Sequence, residues 1–340
     1  MEKNPQFRAL QMIGTQRSGS NLLRLMLDQI PEIFGPHPPH ALITFYPLLH
    51  HYGDLSDDEN FKALIADVCT LIELNPVPWD DEKIDRGKIF RMCSKRTLLE
   101  AFIKINEMKC VEKNKTIWCC KSLESLIHLD EYDKEGFKPF IIYLYRDGRD
   151  VAASFKKIMV GEKHIYHLAH KWKSDQQLAL KYISPLPPER LMVIKYEDLI
   201  SEPEKYMKKL CAMIEVQYDA SVLNYYQSEE SKKTAESGKM WENVAKPILK
   251  NNKQKYLKEL ADDEVKIFES IAGDVLEKLG YQRNFNGQAR MEFTGEQVMK
   301  FNEENQRLKR EAVANADPHD LLMRKAQNEF VKSLKARFLS

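Results

Sequence analysis

The sequence predicts an α/β fold: a central parallel sheet flanked by helices, with a helical C-terminal extension. Three observations carry that expectation. Short apolar runs of strand length alternate with longer segments of helical periodicity, the pattern of βαβ units. The run Phe140-Ile141-Ile142-Tyr143-Leu144-Tyr145 is apolar on both faces, as in a parallel strand covered on both sides. The first strand candidate, Ala9 to Ile13, leads straight into a turn with glycines at 14 and 19 and then the apolar segment Leu22 to Leu27, which reads as a buried helix.

The remaining elements follow in order. Residues 31–53 hold four of the nine histidines, His37, His40, His50 and His51, together with several prolines and the apolar run 41–49. This stretch is too broken for a long helix and too apolar for a free loop; it is expected to form a wall or lid beside the glycine turn, or to pack on the core. Residues 57–75 begin acidic and space Phe61, Leu64, Ile65, Val68, Leu71 and Ile72 as an amphipathic helix, which Asn75-Pro76 ends. A helix is expected over roughly 95–109, and a second strand over Thr116 to Cys120, leading into a helix near Ser122. The strand 140–145 ends at Arg146-Asp147-Gly148-Arg149-Asp150. There Asp147 can cap the next helix and Asp150 stands in the position of a capping-box acid. A helical segment near 163–183, the strand Leu191 to Ile194 and a mostly helical stretch from Pro203 to Gly280 complete the sheet domain, placed at 1–282. Residues 283–340 read as a linker and a charged helical arm, interrupted at Pro318, with no evident chemistry.

Composition narrows the function. With 52 basic and 51 acidic residues the net charge is +1, so no global field draws the chain to nucleic acid or an anionic membrane. Any anion site must be a local concentration of charge. The six cysteines form no C-x-x-C and no zinc spacing with histidine, and Cys119-Cys120 reads as buried small hydrophobes. No metal site is expected. The N-terminus lacks a signal-peptide core and no stretch is long and apolar enough to span a membrane, so a cytoplasmic setting is expected. The tail helices are the candidate surface for homo-oligomer contacts.

Strand, glycine turn and helix N-terminus together make an anion cradle, because backbone N–H groups point outward and the helix dipole favours negative charge. The spacing Gly14 to Gly19 matches the opening of a nucleotide-hydrolase P-loop, G-x-x-x-x-G. The Lys-Ser/Thr pair that would serve β/γ-phosphates and Mg²⁺ is replaced by Ser20-Asn21. The loop's cation is Arg17. A P-loop-like sheet is therefore expected without metal-assisted phosphoryl chemistry. Ligands of open α/β sheets bind at the carboxyl ends of the strands, which gathers Arg17, Lys121, Arg146 and Tyr196 at one rim. Ser154, two turns into the helix after Arg146, leans back toward the same space, and an arginine with a hydroxyl is a reasonable phosphate clamp. Two anion sites suggest a ligand with phosphate at two places.

At this point the sequence resembles the sulfotransferases that use 3′-phosphoadenosine 5′-phosphosulfate (PAPS). Gln16-Arg17-Ser18-Gly19-Ser20-Asn21 is similar to their 5′-phosphosulfate loop, and Tyr143 to Ser154 to their 3′-phosphate motif, in which the Arg and Ser hold that phosphate. Tyr196-Glu197-Asp198 resembles a segment beside the nucleotide. Trp241-Glu242-Asn243 followed by Lys246-Pro247-Ile248 resembles the nucleotide-closing segment, and Leu279-Gly280-Tyr281 the family's usual ending. The likeness covers roughly residues 8–282, with the two phosphate motifs in order and about 130 residues apart. It implies PAPS as sulfuryl donor, held by Arg17, Ser18, Gly19, Ser20, Asn21, Arg146, Ser154, Tyr196, Trp241 and Lys246. There are departures: Gln16 stands for a common proline, Ser20-Asn21 for Thr-Thr, and Leu22 where some members stack a tryptophan on adenine. Lys121-Ser122-Leu123 stands for a Lys-Thr-His run that carries the base of the cytosolic branch.

Sulfuryl transfer requires charge neutralisation at the leaving oxygens and removal of the acceptor's proton. Arg17, the loop N–H groups, the Ser20 hydroxyl and Lys121 suit the first task. For the base, His37, Glu124 and His40 compete. His37 leads, because it follows the first helix where a related branch carries a glutamate base; otherwise it is a packed loop residue. The expected reaction is in-line transfer to an alcohol or phenol, and the run 41–49 favours a lipophilic acceptor such as a sterol or lipid. Two other classes stay open at this level: a P-loop nucleotide or nucleoside kinase, and a non-catalytic nucleotide-binding scaffold.

Overall fold

A computed structural model describes residues 7–287 and 290–339. Five parallel strands form one sheet: β1 (Arg8–Ile13), β2 (Ile33–Phe34), β3 (Ile117–Cys120), β4 (Phe140–Tyr145) and β5 (Leu191–Lys195), in the spatial order β2-β3-β1-β4-β5. β1 is central, with Leu10 in register with Cys119 on one side and Phe140 on the other.

Successive residues of these strands face opposite layers. Leu10, Met12, Ile142, Leu144, Met192 and Ile194 pack against Leu23, Met26 and Leu27 of the helix Ser20–Asp28 and against Leu199 and Met207. Ile13, Trp118, Cys120, Ile141 and Tyr143 face the second layer, where Trp172 of the helix Ile165–Ile183 meets Phe268 of the helix Asp262–Lys278, ring centres 5.7 Å apart. Both faces are covered, which is why these strands are apolar throughout. All six cysteines are buried and free, Cys119 and Cys120 on opposite faces of β3.

Three local readings change. The stretch 31–53 contains the short edge strand β2, a helix Ala41–Phe45 and a 3₁₀ turn Tyr46–Tyr52. Its run 41–49 packs Ala41, Leu42 and Phe45 into the core rather than walling a ligand site. The segment after Ser122 begins as a 3₁₀ turn, Leu123–His128. Asp147 does cap the helix Gly148–Lys156, accepting the Arg149 N–H at 2.9 Å. Asp150, however, is no capping-box partner. Its carboxylate accepts the Gln254 and Tyr256 N–H groups at 2.8 and 2.9 Å, while the Asp147 N–H donates to Glu197 Oε1 at 3.1 Å. A distant loop with two unpaired N–H groups outcompetes the local reciprocal bond.

The C-terminal arm packs back on the body. Its first helix, Gly295–Ala314, is pinned by Asn305, whose Oδ1 accepts the Lys163 and His164 N–H groups at 2.9 and 3.0 Å. The second, Pro318–Leu339, lies on the helix Asp58–Glu73: Gln327 donates to the Leu71 carbonyl at 3.0 Å, Arg337 pairs with Asp67, and Leu334 is buried. Among the described residues no helix is long and apolar enough to cross a membrane.

Candidate active site

The turn after β1 is built by two glycines with little alternative. Gly14 has φ 134°, and a Cβ there would meet the Leu144 carbonyl oxygen of β4 at 2.2 Å. Gly19 has φ 90°, and a Cβ would run into the Tyr196 ring at 2.3 Å. Between them Arg17 is held at φ 69°, a sparsely populated region for a side chain of this size and of the kind found at functional turns. The helix that follows opens with no acidic residue in its first turn, so its dipole and free N–H groups face the cleft uncompensated.

The loop and the end of β4 meet through Arg17. Its Nε donates to Ser154 Oγ at 3.0 Å and its Nη2 to the Met240 carbonyl at 3.4 Å; among the described residues it has no carboxylate partner. Burial, with the Arg146 charge beside it, lowers its pKa to about 10. Arg146 donates to the Arg17 carbonyl at 3.2 Å and to the Asn252 carbonyl at 3.0 Å, and lies 4.6 Å over the Tyr196 ring. Its Nε is buried without a partner. Tyr196 is fixed by Asn252, whose amide donates to its hydroxyl at 2.6 Å. The two anion sites read from sequence are thus one continuous wall.

Lys121 closes the wall from the end of β3. Its ammonium donates to Asn21 Oδ1 at 2.9 Å, a neutral partner. Burial, then the charges of Arg24 and Arg17, lower its pKa to about 7. Beyond it stands His37, with 4 % of its surface exposed. Its backbone carbonyl accepts from Trp79 Nε1 at 2.7 Å and from the Asn75 amide at 3.3 Å. Asn75 Oδ1 accepts the Val77 N–H at 3.1 Å, which fixes the amide's orientation. His37 Nδ1, 3.0 Å from that same oxygen, must therefore donate to it, leaving Nε2 as the acceptor nitrogen. Nε2 has no partner among the described residues. Burial, then Lys121, Arg24 and His40, hold the imidazole's pKa well below the ordinary value, so it is neutral at pH 7.

These groups line a cleft of about 1380 Å³. That exceeds the roughly 300–1,000 Å³ of a site for one drug-sized molecule, and so has room for two ligands.

A sequence model of the sulfotransferase family matches residues 10–220. The chain belongs to the sulfotransferase family. A curated relative, the protein-tyrosine sulfotransferase of Drosophila melanogaster, is 22% identical over 276 residues, which make up 79% of this chain and 50% of that protein. The chain therefore spans about half the length of the curated relative it matches. Its fold resembles that of the sulfotransferase domain from the Synechococcus PCC 7002 olefin synthase, with TM-score 0.54 and 20% identity over 80% of this chain and 96% of that one.

In this sulfotransferase, Arg17, Gly19, Ser20, Asn21, His37, His40, Lys121, Glu124, Arg146, Ser154, Tyr196 and Trp241 all line the cleft. Two nucleotide candidates do not. Ser18 is fully buried with its hydroxyl unpartnered, and Lys246 is exposed, bonded to Asn243 Oδ1 at 3.2 Å. Of the competing bases, burial raises the carboxyl of Glu124, which sits toward Lys171 and Asp175. His40 has φ 58° and its pKa is lowered by burial, then by Lys121 and Arg324, to about 4. Trp241 meets His37 edge-on at 4.7 Å. Sequence reasoning missed Asn75, which orients His37 through a contact between distant segments. It also missed Arg24, fully buried behind the cradle and held by Glu230 at 2.7 Å and Thr234 at 2.8 Å. Neither has a local signal. The arm was missed too: Asp317, Asp320, Arg324 and Gln327 line the cleft, and its charged sequence carries no sign of it.

Proposed function

We propose that this sulfotransferase takes its sulfuryl group from PAPS and passes it to a hydroxyl of a lipophilic small molecule, with His37 as general base. One observation carries the reading: Arg17 and Lys121, two cations without carboxylate partners among the described residues, share a cleft with a neutral imidazole whose Nε2 has no partner among them. Cations arranged so are stabilised by an anion, and the glycine cradle supplies backbone N–H groups for it. When bound, PAPS supplies the sulfuryl group and a nucleotide leaving group. Arg17, Lys121, the Ser20 hydroxyl and the helix N-terminus neutralise the charge that develops on the leaving oxygen. Arg146 and Ser154, on the same wall, suit the 3′-phosphate. His37 Nε2 takes the acceptor's hydroxyl proton as that oxygen bonds to sulfur and the bond to the phosphate oxygen breaks. A lipophilic acceptor is supported by Pro38, Pro76, Leu123, Met240 and Trp241 around His37, in place of the run 41–49. The 1–282 sheet domain with an appended arm remains our division of the chain.

The test is transfer of labelled sulfonate from PAPS to a panel of alcohols and phenols. Native protein should label a lipophilic hydroxyl in excess chelator. His37→Ala should lose about 10²–10⁴-fold in turnover, the usual contribution of a general base, with affinity for adenosine 3′,5′-bisphosphate unchanged. A panel left unlabelled, or His37→Ala with native turnover, removes the acceptor or the base assignment respectively.

A further inference from the structure

The arm lies outside the residues matched by the family model, yet it carries a cationic group into the cleft. Arg324, on the helix Pro318–Leu339, lays its guanidinium over the Trp241 indole at 4.7 Å. The other contact of that indole is the edge of His37, so a single indole separates the guanidinium from the proposed base. His40 feels the Arg324 charge directly.

Arg324 is poorly compensated. Its one hydrogen-bond partner among the described residues is a weak acceptor, Met240 Sδ, at 3.2 Å. Its Nε is buried and unpartnered. Asp320, one turn earlier on the same helix, offsets part of its charge without a hydrogen bond to it, its Oδ1 accepting the Lys239 N–H at 2.7 Å, and burial still lowers the Arg324 pKa. The helix itself cannot swing the residue out cheaply, because His319 reaches the Glu236 carbonyl at 2.8 Å and Gln327 the Leu71 carbonyl at 3.0 Å, one on each side of Arg324. A guanidinium held rigidly over an aromatic face, with one donor on a weak acceptor and its Nε unpartnered, is built to receive a planar anion. The phosphates of the donor already have Arg17, Arg146 and Lys121; Arg17 reaches the Met240 carbonyl while Arg324 meets that residue's sulfur, so Arg324 stands at the margin of the donor site, beside Trp241 and His37.

We propose that Arg324 is a specificity-determining residue that binds a carboxylate on the acceptor, so that the substrate is a hydroxylated carboxylic acid with a lipophilic body. This rests on the reading of the cleft as a PAPS-dependent hydroxyl sulfotransferase and narrows its acceptor. The arm then completes the acceptor site from outside the sheet domain.

The test uses the 340-residue chain saturated with adenosine 3′,5′-bisphosphate. Two probes are titrated by calorimetry: ω-hydroxydodecanoate and dodecanediol, which share a hydroxyl and an apolar body and differ in the carboxylate. Native protein should bind the acid at least about tenfold more tightly, the scale of a charge-assisted contact. Arg324→Gln should bring the two to within about twofold by weakening the acid alone, and Arg324→Lys should keep part of the preference. Melting temperature and bisphosphate affinity should match the native protein in both variants. Equal binding of the probes by native protein overturns the proposal, as does a preference that survives Arg324→Gln. A variant that loses bisphosphate affinity as much as acid affinity overturns it too, by moving Arg324 to the donor. Native protein that fails to bind the bisphosphate at all overturns the donor assignment and this proposal with it, whereas bisphosphate binding with no preference between the probes overturns this proposal alone.

Discussion

Arg149, buried, and Lys121, half-buried, are both cations at the carboxyl rim of the same sheet, and they have opposite surroundings. Arg149, 2 % exposed, has a partner for every nitrogen: Nε and Nη2 donate to Asp147 at 3.0 and 2.7 Å, Nη1 to Glu269 at 2.6 Å and Asn284 at 2.9 Å. Glu269 in turn accepts the Asn284 and Phe285 N–H groups. Burial opposes that charge, but the two carboxylates overcome it and push the pKa above the usual arginine value. Lys121 has one neutral partner and two cationic neighbours, and its pKa falls to about 7. The first charge is satisfied by the protein and fastens the strand end to the helix Asp262–Lys278. The second is satisfied only when something anionic arrives. Uncompensated charge is the mark of a ligand site, and paired charge that of a scaffold.

The sharpest way to break this comparison is to remove each charge. Arg149→Met should cost about 3–5 kcal/mol of stability, because it strands Asp147 and Glu269 in the interior. Denaturant titration measures it, and a loss under 1 kcal/mol would mean that the knot is not structural. Lys121→Met should do the reverse. Its melting temperature should hold or rise, while turnover falls about 10²–10³-fold, the scale of removing one preorganised stabiliser of transition-state charge. Should Lys121→Met melt early and turn over normally, the two residues would belong to the same class. The smallest effect sharpens the electrostatic account. At pH 8 the empty protein holds Lys121 largely as free base, since its pKa is about 7. A bound anion favours the ammonium and raises that pKa, so binding must take up protons, at most about one per site. Calorimetry of bisphosphate binding in buffers of different ionisation enthalpy should show uptake at pH 8 that is lower in Lys121→Met. Release, or identical uptake in the variant, would contradict the assignment.

What the sequence revealed followed the range of the interactions involved. The sheet, the glycine turn and the rim residues Arg17, Lys121, Arg146 and Tyr196 were legible, because strand periodicity and βα connections are local and the rule for strand ends does the rest. Asp150 misled for the same reason: its spacing from Asp147 is that of a capping box, and only the folded chain offers it Gln254 and Tyr256 instead. The orientation of His37 by Asn75, the burial of Arg24 against Glu230 and the approach of Arg324 to Trp241 join segments far apart in the chain. No single-sequence pattern encodes such pairs. Lys246 shows the converse, a residue singled out by family likeness whose exposed ammonium is bonded to the cleft residue Asn243 rather than lining the cleft itself.

The central position of β1 also sets an order of events during synthesis. Leu10 has no strand to pair with until Cys119 and then Phe140 have been made, about 110 and 130 residues later. At roughly 5–20 residues per second, the first apolar strand waits on the order of 10 s beside the nascent chain with both edges open. Its strand pairings are all of long sequence separation, the kind that forms late and slowly. The anion cradle, hinged on the end of that strand, is therefore made well before the pairings that give it its shape.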